Sequence, residues 1–103
     1  MRLVVARCSV EYQGRLGARL AEAVRLIVLK QDGSIAVHSD AKAYKPLNWM
    51  NPPCTITHTE ERITAVTPKG ETLVIELHEV LTDFSHELGE DPGLEKEIGR
   101  AHV

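Results

Sequence analysis

Between Leu3 and Val10 every second residue, Val4, Ala6, Cys8 and Val10, is apolar or small, and Leu3, Val5, Arg7 and Ser9 stand between them. A period of two places each set on one face of a β-strand, and it is the pattern that most restricts what this chain can become. It returns along the chain. Leu26-Ile27-Val28-Leu29 and Ile35 to His38 flank an Asp32-Gly33 pair, which predicts a β-hairpin closed by a type I′ turn. Further strands are predicted over Thr55 to Thr59, over Arg62 to Thr67, and over Thr72 to Leu77 after the Pro68-Lys69-Gly70 turn.

Two stretches break the period. Leu16, Leu20, Ala23 and Val24 recur at helical spacing and predict a short helix over residues 16–23. Residues 39–53 hold three prolines and two asparagines without a clean period, which predicts a long connection of the kind that often carries function. Beyond Val80 the pattern weakens, and Asp83 to Glu97 is acidic, punctuated by Gly89, Pro92 and Gly93. The expected fold is therefore mainly β, an antiparallel β-sandwich or half-closed barrel with one short helix near the N-terminus. Residues 1–88 would form the domain and residues 89–103 a linker or tail. A small open sheet has edges to cover, so a homodimer is expected.

With only four aromatic residues in 103, the core must be built from Val, Ile, Leu and Ala, and each ring is informative. Charge is segregated. Residues 1–49 carry eight Lys and Arg against four Asp and Glu, whereas residues 50–103 carry four against eleven, so the net charge of −3 hides a basic half. A polyanion would meet a basic surface if the fold gathers Arg7, Arg15, Arg19, Lys42 and Lys45 on one side. No apolar run approaches the roughly 20 residues of a bilayer helix, and no secretory leader is evident, so a cytoplasmic protein is expected, not a membrane one.

Tyr44, Lys45, Asn48 and Trp49 place two rings, a cation and an amide within six residues, the parts of a base-reading site. A Trp beside Met50 and a Pro-Pro pair is equally the description of a packing anchor, and spacing does not separate the two. Tyr12-Gln13-Gly14-Arg15 sets an aromatic and a guanidinium at a strand end, suited to a base and a phosphate, or to nothing more than a turn glycine beside a solvated Arg. Cys8, His38, Cys54, His58, His78, His86 and His102 lack the paired spacings of a structural zinc site, so no metal is expected. Asp83 and Ser85-His86 lack a nucleophile elbow, and no catalytic residue is assigned. The acidic residues from Glu71 alternate with Leu73, Ile75 and Leu77, as on the solvated face of a strand.

Three segments, Arg2 to Arg15, Lys45 to Pro53 with its Asn-Trp-Met-Asn-Pro-Pro core, and Asp83-Phe-Ser-His-Glu-Leu-Gly, together resemble the N-terminal domain of the NucS/EndoMS family, in its bacterial branch. The resemblance covers nearly the whole chain. It implies the DNA-binding and homodimerisation part of a mismatch-specific, or single-strand- or branch-acting, DNA-repair endonuclease, one that grips DNA and holds flipped bases. Tyr12 and Trp49 would then stack on an extruded base, Asn48 would contact its edge and Arg15 the DNA backbone, with Lys42 and Lys45 added on charge alone. The resemblance places cleavage in a C-terminal RecB-like nuclease domain that holds a divalent metal such as Mg. No Asp followed by a Glu-x-Lys triplet occurs here, so these residues are expected to need no cofactor and not to cut DNA. A sliding clamp would be met by other parts of such an enzyme. The competing reading is a pure dimerisation or assembly module that leaves DNA to the other half.

Overall fold

The computed structural model describes residues 1–40 and 47–94. Seven strands run through them: β1 (Arg2–Gln13), β2 (Ala18–Leu29), β3 (Ile35–His38), β4 (Asn48–Met50), β5 (Thr55–His58), β6 (Arg62–Val66) and β7 (Thr72–Ser85). They form one antiparallel sheet in the order β4-β3-β2-β1-β7-β6-β5. The long strands β1, β2 and β7 are central. Although β4 and β5 lie at opposite edges of the sheet, only residues 51–54 separate them in the chain.

That short link decides the shape. Laid flat, seven strands would put the edges about 29 Å apart, whereas the step from Met50 to Thr55 spans at most about 18 Å. The sheet must curl until its edges approach, and the result is a half-barrel. The alternating residues of β1, namely Val4, Ala6, Cys8 and Val10, face its concave side with Ile27, Leu29, Ile35, Val37, Met50, Ile63, Ala65, Leu73 and Ile75. All of them are buried, and no charged or polar side chain among the described residues is buried with them.

The expected helix over residues 16–23 is absent; that stretch is the turn after β1 and the first half of β2. The cause is a β-bulge. Cys8 pairs with Ala23, but Val10 pairs with Leu20, so one residue more lies between the pairs on β2 than on β1. The extra residue flips the phase of the alternation, and Leu20 and Ala23, three apart, face the same side as they would on a helix. Two further irregularities, between Val5 and Ala6 and between Arg7 and Cys8, distort the β1–β7 pairing. Such insertions bend a strand, and here they cluster on the central strand of the curl.

Other expectations shift in detail. The Asp32-Gly33 hairpin forms, but its turn hydrogen bond runs from Gly33 N to Lys30 O at 3.1 Å, which makes Gln31 and Asp32 the central residues. Gly33 follows at φ +91°, so the loop has three residues and is not a type I′ turn. Asp32 fastens it by accepting from the Ser34 amide and hydroxyl. Residues 68–70 build the same loop between β6 and β7, with Pro68 at the first central position. Part of the predicted connection 39–53 is strand β4, and β7 continues into the acidic stretch as far as Ser85.

Arg2 and Asp83 clamp the far end of the β1–β7 pair through two parallel bonds, 2.9 and 2.7 Å long. The guanidinium holds the Asp83 carboxyl below its ordinary range, so the clamp contributes fully above about pH 4 and is lost as the pH falls through the lowered pKa. Both side chains keep more than a third of their surface, which limits the contribution to about 1 kcal/mol or less. Asp83→Asn should therefore lower the melting temperature at neutral pH. The difference from the parent should vanish in acid, as followed by circular dichroism melts across a pH series.

Candidate nucleic-acid interface

The six residues singled out from the sequence are not gathered in one place. Lys42 and Lys45, with Tyr44, lie outside the described residues. Trp49 and Asn48 are neighbours on β4, and a strand sends neighbours to opposite faces. Asn48 pairs with the buried Val37 and is half-buried on the concave side, whereas Trp49 pairs with Ala36 on the convex side and is 52% exposed. The packing-anchor description fits Met50, which is buried opposite Ile35, better than it fits Trp49.

Trp49 borders two grooves. One runs across the convex side beside Val28, Ala36, His38 and Lys30. The other, of about 480 Å³, lies where the curl brings the β4–β5 link against the β6–β7 turn, and Pro52, Pro53, Thr67, Lys69 and Glu71 line it with Trp49. That volume is in the range of small-ligand sites. An exposed indole flanked by open space, with a lysine in reach, can stack a nucleobase and approach its phosphate.

Tyr12 joins this second groove through a residue that the sequence reading passed over as a solvated strand acid. Its hydroxyl donates to Glu71 Oε2 at 2.5 Å, and the bond holds the phenol above its ordinary pKa because ionisation would set two negative charges together. Glu71 is further fixed by the β6–β7 loop: its amide donates to Thr67 Oγ1 at 3.1 Å, and Thr67 Oγ1 lies 3.4 Å from Glu71 Oε1. Gly14 makes room for the ring. A Cβ there would collide with the Tyr12 hydroxyl and the carbon that bears it.

Arg15 is exposed in the β1–β2 turn. Arg7 stands 4.0 Å from Glu22, and Arg19 is registered opposite Glu11, so acids sit beside two of the arginines expected to form a basic face. Among the described residues, no three His, Cys, Asp or Glu side chains converge as metal ligands. Cys8 is a core residue whose thiol burial pushes its pKa up, and Arg25 donates to its carbonyl oxygen at 2.9 Å. Desolvation lowers the His58 pKa, and its Nδ1 has no partner.

The convex side carries a second feature. Phe84, Leu3, Val28, Ala36 and Trp49 are opposite one another in successive strands and form one apolar row across the sheet. Val5 and Leu26 make the next. Phe84 is 58% exposed.

Comparison with known proteins gives a consistent answer. The family described as the endonuclease NucS N-terminal PH-like domain matches residues 1–93. Endonuclease NucS of Frankia alni is 59% identical over 104 residues, covering 100% of this chain and 47% of the relative. The Streptomyces avermitilis protein of the same name is 55% identical over 107 residues, covering 100% and 48%. The chain thus spans about half the length of the curated relatives it matches. Among solved structures, a complex of EndoMS with double-stranded DNA superposes with a TM-score of 0.74 and 32% identity, covering 90% of this chain and 41% of that one. A repair endonuclease from Pyrococcus abyssi superposes with a TM-score of 0.75 and 30% identity, covering 87% and 41%.

The link from Gly14 to Glu71 can be tested directly. Gly14→Ala should push the Tyr12 ring aside and break its bond to Glu71. Ultraviolet titration of the tyrosines should then show the high-pKa phenol returning to the ordinary range, with the β-sheet circular dichroism preserved.

Proposed function

The chain belongs to the NucS family as its N-terminal PH-like domain, and on that premise we propose that it is the DNA-gripping and dimerising part of a mismatch-specific repair endonuclease. Relatives are named endonucleases, and one structural neighbour is bound to double-stranded DNA. The observation that carries the reading is Trp49, a half-exposed indole on a three-residue edge strand, bordered by a groove on either side.

A mismatched pair costs less to unstack than a matched one, and an indole in a groove restores part of the stacking that an extruded base gives up. Trp49 supplies the stacking surface and Lys69 a charge for the phosphate. Tyr12 holds Glu71 of that groove through its hydroxyl. Arg15, Lys42 and Lys45 serve the backbone, and Asn48, on the other side of β4, supports the strand or meets a base edge that reaches round it. Phosphate contacts account for most of the affinity, so binding weakens steeply with salt.

The convex apolar rows offer a surface for a second copy. Leu3, Val5, Leu26, Val28 and Phe84 lie on the three central strands, and a two-fold axis through them would bury the same patch twice. The two unpaired cysteines suit a reducing cytoplasm. Among the described residues no three potential ligands converge for the family's divalent metal, such as Mg. Metal, cleavage and any sliding-clamp contact belong, on this reading, to the remainder of the full-length enzyme.

Because the chain has a single Trp, its fluorescence reports the site alone. Titration with mismatched or single-stranded DNA at low salt should quench it. Trp49→Ala should weaken binding by about 1–3 kcal/mol, measured by the anisotropy of labelled DNA. A silent Trp49 and no DNA binding at low salt would leave the chain an assembly module. Sedimentation separates the second role: Phe84→Glu, a change at an exposed position, should yield a folded monomer where the parent dimerises.

A further inference from the structure

Strand β7 outruns its neighbour on one side. β6 accompanies it only from Thr72 to Glu76, and the last backbone bond on that side runs from Leu77 N to Glu61 O at 2.8 Å. There the chain turns away between β5 and β6. From His78 to Ser85, among the described residues, β7 has β1 alone alongside it. That open edge is about 26 Å long. Val80 and Leu81 on it are 44% and 49% exposed. Along such an edge alternate N–H and C=O groups point away from the sheet, which makes it a template for an added strand.

The side chains around the edge decide what kind of segment fits. A groove of about 590 Å³ lies where a strand continuing the line of β6 would run, between Val80 and Asp83 on β7 and His58, Thr59 and Glu60 at the end of β5. Val80 offers an apolar contact. Arg2 is engaged by Asp83, and burial holds the His58 imidazole below its ordinary pKa, uncharged at neutral pH. Glu60 is then the uncompensated charge of the groove. On the opposite face Glu79 is exposed, and among the described residues neither acid is in an ion pair. A cationic side chain on an added strand would be attracted on either face, and an anionic one repelled.

A second copy of the same edge fits less well. It would bring the same acids against themselves, and the extra residues His78 and Leu81 kink the edge twice against β1. A single flexible segment can follow those kinks.

We propose that the outer edge of β7, from His78 to Ser85, is a docking site for an extended segment of another protein that carries lysine or arginine. The segment adds as a strand in line with β6 and sets its basic side chains against Glu60 or Glu79. The apolar rows offered above to a second copy use side chains of the convex face, whereas this site uses the backbone at the rim. It does not depend on DNA binding.

The probe is a fluorescein-labelled octapeptide of alternating lysine and valine, titrated without DNA into the 103-residue chain at physiological salt and read by anisotropy. The glutamate–valine octapeptide should bind at least about tenfold more weakly. A lysine–valine octapeptide with proline at its two central valines keeps the charge but loses strand hydrogen bonds, and should also bind about tenfold more weakly. Glu60→Lys, at an exposed turn position, should narrow the preference for lysine over glutamate. Hydrogen exchange followed by NMR locates the contact: the outward-facing amides of His78 to Ser85 should exchange freely in the chain alone and become protected with the lysine–valine peptide. Equal binding of the lysine and glutamate peptides overturns the inference, as does equal binding of the proline peptide, which would mean a loosely held polycation. So does protection confined to other strands. Protection of those amides without peptide shows that the edge is already covered: by the chain itself if it is the same at every protein concentration, by a second copy if it grows with concentration. Either result overturns the proposal and leaves the DNA reading untouched.

Discussion

Four residues join the two edges of this sheet, and most of what is distinctive about the molecule follows from that shortness. A flat sheet of seven strands is wider than Asn51-Pro52-Pro53-Cys54 can reach, so the central strands must bend. Bending is made possible by the register breaks along β1, where both neighbouring strands slip against it between Val5 and Val10. The concave side is then closed by small aliphatic residues. No aromatic side chain is among the buried residues there, which are Val, Ile, Leu and Ala with Cys8 and Met50.

The same curl creates the groove. The β4–β5 link and the β6–β7 turn are separated along the chain by β5 and β6, yet closure sets them on two sides of one cleft, with Trp49 at its rim. β1 passes behind and delivers Tyr12 to Glu71 from a position 59 residues away in sequence. The site thus draws its parts from an edge strand, a link, a turn and the centre of the sheet. A change that loosened the closure would separate the indole from the carboxylate without touching either.

The charge pattern has a different lesson. The sequence divides into a basic first half and an acidic second half, which suggests one basic face. The antiparallel pairing of β1 with β7 instead joins the halves and places Arg2 on Asp83, while Arg19 lies opposite Glu11 within the basic half and Arg62 bonds Glu76 within the acidic half. Exposed pairs of this kind add little stability and mainly set the local potential. Segregation along a chain becomes segregation in space only when the segments do not pair with each other, and here they do.

Much of the fold was legible in the sequence. Period-two alternation identified β1, the Asp32-Gly33 hairpin and the strands around Pro68-Lys69-Gly70, because side-chain alternation is a local property of any strand with one buried face. The phase of that alternation was not legible across a bulge, so Leu20 and Ala23 looked helical; where an insertion falls depends on how a partner strand must bend. For the candidate site, the sequence marked Trp49, Asn48 and Tyr12 by residue type, since few side chains are able to stack on or read a base. It could not show that Asn48 and Trp49 point to opposite sides, that Glu71 is Tyr12's partner, or that Phe84 and Leu3 share an exposed row with Val28. Those are facts of register and closure, set by hydrogen bonds between segments far apart in the chain, and only the tertiary structure decides them.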